Sequence, residues 1–201
     1  MRRLLAIILT TNKRADAVRN QQRLLSAAAE VFILSGVDAP LRQIAAKAGV
    51  GTATIYRHFP TRADLIAAVF HYQVEECAEA GSTLLANEES PFKALQKWID
   101  LFVDFLVTKH GLASAMQSNN ENFIPLQAYF LDRLLPVCNQ LLNASKIAGE
   151  IRGDIEPYPL LRGIGNLCVG QTDDGRYIPQ QLIALVLNGL RCSAPDNQDA
   201  N

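Results

Sequence analysis

The residues best suited to chemistry cluster between positions 51 and 62: Gly51, Thr52, Ala53, Thr54, Tyr56, Arg57 and His58, then Arg62, with Arg42 shortly before them. On a helix, Thr52, Thr54, Tyr56, Arg57 and His58 share the face away from Ile55 and Phe59, and their hydroxyl, imidazole and guanidinium groups have nothing within the segment to bond. Such a set suits hydrogen bonding to an outside partner, with Arg42, Arg57, Arg62 and the Thr52 and Tyr56 hydroxyls placed for phosphates. Small residues come first, at Gly51, Ala53 and Thr54, which allows a backbone to approach base edges in a DNA major groove. Motifs for catalysis are absent. Gly163 and Gly165 lack the third glycine of a dinucleotide fingerprint, and no GxSxG, GxxxxGK or HExxH occurs. The adjacent pairs Glu75-Glu76, Glu88-Glu89 and Asp173-Asp174 diverge on a helix and read as solvated charges.

The elements that must position these donors are two short helices and a turn, LRQIAAKAGVGTATIYRHF over 41–59. Leu41, Ile44, Ala45 and Ala48 recur at helical spacing and form one apolar face. Pro40 fits the first helical position, and Gly49 is expected to close the helix in a left-handed conformation. Val50 should plug the corner, and Thr52 is a good N-cap for the second helix, whose Ile55 and Phe59 point inward. A third helix then starts at once, because Thr61 and Asp64 have the spacing of a capping box. Two amphipathic helices of an ordinary bundle are the plainer reading, but the turn and capping box together favour a helix-turn-helix.

The stretch of about 19–70 resembles the DNA-binding domain of the TetR (tetracycline-repressor-like) family. The likeness is carried by Ala28, Ala29, Glu30, Val31 and Phe32 with Gly36, by Ile44, Ala45, Ala48, Gly49 and Val50, by Ile55 to Pro60, and by Leu65. Two positions depart from the family pattern. Ala39 stands where members usually carry a capping Thr or Ser, leaving Asp38 or Pro40 to set the helix start. Arg62 stands where members usually carry a phosphate-contacting lysine, which keeps the charge and changes the donor geometry.

The whole chain of 201 residues is 49% hydrophobic, enough to bury one good core or two modest ones. Its net charge of −1 is unevenly spread: residues 1–75 hold ten Lys and Arg against five Asp and Glu, and the remainder nine against fifteen. The half with the helix-turn-helix is therefore the basic half, which provides local attraction for phosphates. Cys77, Cys138, Cys168 and Cys192 are far apart, without ligand spacing, and read as free thiols; no metal or cofactor is expected. Residues 1–18 are expected to be a basic, disordered arm with Arg2, Arg3, Lys13 and Arg14, since the apolar run 4–9 is too short for a secretory signal. No stretch approaches the length of a membrane span, and a cytoplasmic, nucleoid-associated protein is expected.

The expected organisation is all-α, about nine helices: the arm, a DNA-binding domain over 19–80, an effector-binding and dimerisation domain over 81–192, and a polar tail over 193–201. A helix from Arg62 should end at Gly81 and link the halves, acting as the lever between them. Further helices are expected over 92–110, 111–118, 125–149, 157–170 and 179–190, with a kink or break at Pro136. Trp98, Phe102, Phe105, Met116, Phe123, Tyr129 and Phe130 are an aromatic set that either packs on itself or lines a pocket for a small apolar effector, and the family resemblance implies such a pocket in this half. The last two helices look apolar nearly all round, so Leu160, Ile164, Leu167, Leu182, Val186 and Leu190 are expected to meet a second copy of the chain. The resemblance implies the same four-helix dimer. The resulting expectation is a dimeric, ligand-responsive repressor on a double-stranded DNA operator, with no membrane partner. A small-molecule-binding or enzymatic helical protein that keeps a helix-turn-helix as scaffold is the alternative.

Overall fold

The computed structural model describes the backbone of residues 2–116, 123–152, 155–168 and 177–191, and the side chains of 18–106, 126, 128–152, 155–168 and 177–191. The described residues form eight helices: α1 (Arg2–Ser35), α2 (Leu41–Ala48), α3 (Thr52–His58), α4 (Arg62–Asn87), α5 (Pro91–Met116), α6 (Phe123–Ile147), α7 (Pro157–Cys168) and α8 (Pro179–Leu190). The chain divides into two units, residues 1–73 with 111–118, and residues 74–110 with 119–201.

The first unit is built on one apolar cluster. Leu24, Ala28, Val31 and Phe32 of α1 meet Ile44, Ala45 and Ala48 of α2, Ile55 of α3, Phe59, and Leu65, Ile66 and Val69 of α4. Ala28, Ile44, Ile55 and Val69 are completely buried, so the short helices α2 and α3 owe their stability to this packing rather than to their length. The segment expected to be an arm is continuous with α1.

In the second unit Leu95, Trp98, Ile99 and Phe102 of α5, Val74 and Cys77 of α4, and Leu134, Cys138, Leu141 and Leu142 of α6 are buried. The indole N–H of Trp98 donates to the Cys77 carbonyl at 2.8 Å, so the one polar group of this core side chain is satisfied. Gly81 does not end α4, which runs on to Asn87. The glycine is instead a point of close packing: a methyl there would overlap Cγ1 of Val137 on α6, with Cδ1 of Trp98 3.8 Å away. Likewise α5 passes through Gly111 without a break. Pro136 lies inside α6 without ending it, on the exposed side, where the carbonyl left without its amide partner can bond water.

The start of α5 and the ends of α6 and α8 are tied together. Glu150 accepts from the Phe92 N–H at 2.7 Å, Arg191 lies 5.4 Å from the Phe92 ring centroid, and Arg152 N–H donates to the Leu190 carbonyl at 2.8 Å. Three described cysteines, Cys77, Cys138 and Cys168, are buried free thiols. Burial pushes the first two up to about 12; Cys192 lies outside the described residues.

Candidate nucleic-acid interface

The turn between α2 and α3 is fixed by its backbone. Gly49 takes φ 69°, and the N–H groups of Gly49 and Val50 close the helix end on the Ala46 and Ala45 carbonyls at 3.3 and 3.0 Å. A side chain at Gly49 would be strained in this left-handed conformation. Val50 packs half-buried on the apolar cluster. Two helix starts shift by one residue from expectation. Pro40 is the residue before α2, with extended backbone, and Leu41 is the first helical one. Gly51 is the N-cap of α3, its carbonyl accepting the Thr54 N–H at 2.9 Å, and Thr52 is already helical. The Thr52 hydroxyl therefore makes no capping bond, which leaves it available to an outside acceptor.

Around this turn Gly51, Thr52, Ala53, Tyr56, Arg57 and His58 are exposed, as is Arg42 on α2; Thr54 is half-buried. Tyr56 is 56% exposed, a large ring at the surface of a helix whose opposite side, Ile55, is completely buried. Seven of the nine residues expected to contact DNA thus stand on the outer surface. Arg62 does not. Its guanidinium turns inward and donates to the Val37 carbonyl and, at 2.7 Å, to the Ala39 carbonyl.

The start of α4 is the expected capping box. The Thr61 N–H donates to Asp64 Oδ2 at 2.9 Å, and the Asp64 N–H to Thr61 Oγ1 at 3.1 Å. The bond from the Thr61 hydroxyl, at 2.7 Å, and that from its N–H hold the Asp64 carboxyl below the usual carboxylate range. Sequence reasoning passed over a second basic feature in this unit. An open groove of about 570 Å³ is lined by Arg19 and Arg23 of α1, Lys47 of α2 and Tyr72 of α4, with Glu30 paired to Lys47 at 2.5 Å. The spacing of Arg19 and Arg23, one helical turn apart, was the signal for it.

In the second unit Trp98, Phe102, Phe105 and Phe130 of the aromatic set pack on one another. Ring centroids of Trp98 and Phe102 are 6.0 Å apart, Phe102 and Phe130 5.8 Å, and Phe105 and Phe130 5.6 Å. Tyr129 is set apart by a polar partner: its hydroxyl donates to Glu75, whose carboxylate also receives Nε and Nη2 of Arg133 at 2.6 and 2.5 Å. Burial and the Glu75 charge both push the Tyr129 phenol up. The side chains of Met116 and Phe123 lie outside the described residues.

The expected dimer face needs redrawing. Leu160 and Ile164 are 3% and 1% exposed and belong to the core, because α7 turns Leu160, Leu161, Ile164 and Cys168 inward and Tyr158, Arg162, Gly163 and Asn166 outward. Leu167 and Leu190 are half-buried. On α8, Ile183 and Leu187 point inward, and Leu182, Leu185 and Val186 form an exposed apolar face, Leu185 being 67% exposed. Among the described residues, no group of three His, Cys, Asp or Glu side chains is placed for a metal ion, and no helix is long and apolar enough to cross a membrane.

Comparison with known proteins gives this geometry a context. Residues 24–69 match the family model described as bacterial regulatory proteins, tetR family, and residues 90–192 match the C-terminal domain of SbtR-like transcriptional regulators. A TetR transcriptional regulator from Streptomyces coelicolor is 34% identical, with 87% of this chain and 99% of that one covered and a TM-score of 0.74. A TetR regulatory protein from Mycobacterium vanbaalenii is 31% identical, covering 89% of this chain and 99% of that one, with a TM-score of 0.70. An HTH-type transcriptional regulator of Staphylococcus aureus (strain USA300) is 25% identical over 122 residues, 60% of this chain and 66% of that protein, just under two thirds of its length. With both halves of the sequence matched in order, and a helix-turn-helix whose turn, core and capping box are all in place, the chain belongs to the TetR family of bacterial regulatory proteins.

Proposed function

We propose that the protein is a cytoplasmic transcriptional repressor that binds a pseudo-palindromic DNA operator as a homodimer and is released by a small apolar effector. The observation that carries this reading is the outer surface of α3, where Thr52, Tyr56, Arg57 and His58 offer donors beside Arg42 while Ile55 anchors the helix in the core. Ala53 and Thr54, near the helix start, face the base edges, and Arg42, Arg57 and the Thr52 and Tyr56 hydroxyls take phosphates. The apolar face of Leu182, Leu185 and Val186 on α8 pairs with a second copy, and a two-fold dimer requires two equal half-sites. The effector enters by parting the packed rings of Phe102, Phe105 and Phe130, and α4, which runs unbroken from one unit into the other, carries the change to the reading helix.

The test is operator binding measured against salt, on a site recovered from random DNA. Each phosphate neutralised adds about −0.9 to the slope of log affinity against log salt. A slope of several units and a footprint with two equal halves are expected; a slope near zero, or one half-site filled by a monomer, would refute the proposal.

A further inference from the structure

We propose that Arg62 is a positioning residue of the reading motif, holding the entry to α2 through two backbone carbonyls. The helix α2 starts after Pro40, which offers no side-chain oxygen, and no side chain caps its first N–H groups. The loop before it, from Gly36 to Pro40, has the Ala39 N–H bonded to the Gly36 carbonyl at 3.2 Å and the Gln43 N–H bonded to the Pro40 carbonyl at 2.9 Å. The Val37 and Ala39 carbonyls point elsewhere, and both take their bonds from the Arg62 guanidinium. Val37 and Ala39 are 6% and 3% exposed, between the exposed Gly36, Asp38 and Pro40, so leaving their carbonyls unbonded carries a cost.

A guanidinium can do this and an ammonium cannot do it equally well, since its nitrogens form a rigid fork that spans two acceptors at once. The two positions that depart from the family pattern, 39 and 62, meet in one contact, the Arg62 guanidinium on the Ala39 carbonyl. The end of the fork is fixed as well, because Arg62 is the first residue of α4 and the Thr61–Asp64 box locks that helix start. Arg62 therefore ties the start of α4 to the start of α2, and α2 sets where α3 lies. This inference rests on the DNA-binding reading for its effect on affinity, but its structural half does not.

The experiment compares Arg62→Lys and Arg62→Ala with the unaltered protein. Two quantities are read: amide exchange at Ala39 and Gln43, whose N–H groups are bonded to the Gly36 and Pro40 carbonyls, in the full-length protein, and the salt slope of operator affinity. Arg62→Lys and Arg62→Ala are both expected to speed exchange at these amides and to lower operator affinity about tenfold, with the salt slope unchanged. If instead Arg62→Lys were silent and Arg62→Ala cut the slope by about 0.9 with exchange unaltered, the arginine would be a phosphate contact and the inference wrong. Unchanged exchange at Ala39 and Gln43 in Arg62→Ala also overturns it. Absence of any DNA binding by the unaltered protein would sink the proposed function, while the exchange measurement would still decide the role of Arg62.

Discussion

Replacing Gly81 by alanine sets two effects of opposite sign against each other. Alanine in a helix interior is favoured over glycine by about 1 kcal/mol, so secondary structure alone predicts a more stable protein. The added methyl, however, would occupy the space of Cγ1 of Val137. Valine has one strongly preferred side-chain rotamer in a helix, and overpacking of this kind costs about 1–3 kcal/mol. The expected sum is a loss of up to about 2 kcal/mol. Val137→Ala alone removes half-buried methyl groups and should cost about 1–2 kcal/mol. In the double variant the methyl added at position 81 fills the space that the valine side chain vacates, so the two changes should couple favourably by about 1–3 kcal/mol. Urea unfolding of all four proteins, with equal slopes as the check that only stability has changed, measures that coupling. Additive effects, or a Gly81→Ala variant more stable than the parent, would show that α4 and α6 are not in contact at this point.

Three further outcomes follow from the interface and its supports. Tyr56→Phe should weaken all DNA sequences about equally, by roughly 1 kcal/mol for a lost phosphate hydrogen bond, whereas Thr54→Ala should change the preferred base at one position per half-site by about 1–3 kcal/mol; competition against singly substituted operators separates them, and a reversed pattern means the helix lies differently in the groove. Charged residues at Leu182 and Val186 should split the dimer and abolish operator binding together, and light scattering that still reports a dimer would place the contact elsewhere. Thr61→Ala should return the Asp64 carboxyl toward its ordinary value. Because the folded carboxyl titrates below its unfolded value, the stability it contributes is present above the ordinary carboxylate range and fades as pH falls through the lowered value; a carboxyl titration by NMR that is the same in both proteins would refute the capping contribution.

Much of the DNA-binding unit was legible because its signals are local. Gly49 and the Thr61–Asp64 pair each specify one backbone geometry within a few residues, and the structure has both. The exposed face of α3 followed from the inward spacing of Ile55 and Phe59. What sequence could not supply was anything set by a partner distant in the chain. Arg62 reads as a phosphate contact until the carbonyls of Val37 and Ala39 are seen beside it, 25 and 23 residues away. Gly81 reads as a helix stop until Val137 is seen against it. In α7 the signal was present and passed over: Leu160, Leu161, Ile164 and Cys168 recur at helical spacing opposite Arg162 and Asn166, which marks the side that meets its own core.

The lone tryptophan of the chain has its indole fully enclosed, its N–H bonded to the α4 carbonyl of Cys77 and its ring stacked on Phe102. Such an indole emits at short wavelength, and its emission depends on the backbone of α4, on the register of α5 and on the ring that neighbours Phe130. Any ligand that parts those rings must alter the colour or yield of that emission, so the protein carries its own optical probe at the place where the effector is proposed to act. Candidate effectors can be screened on unlabelled protein in a fluorimeter, with no DNA present.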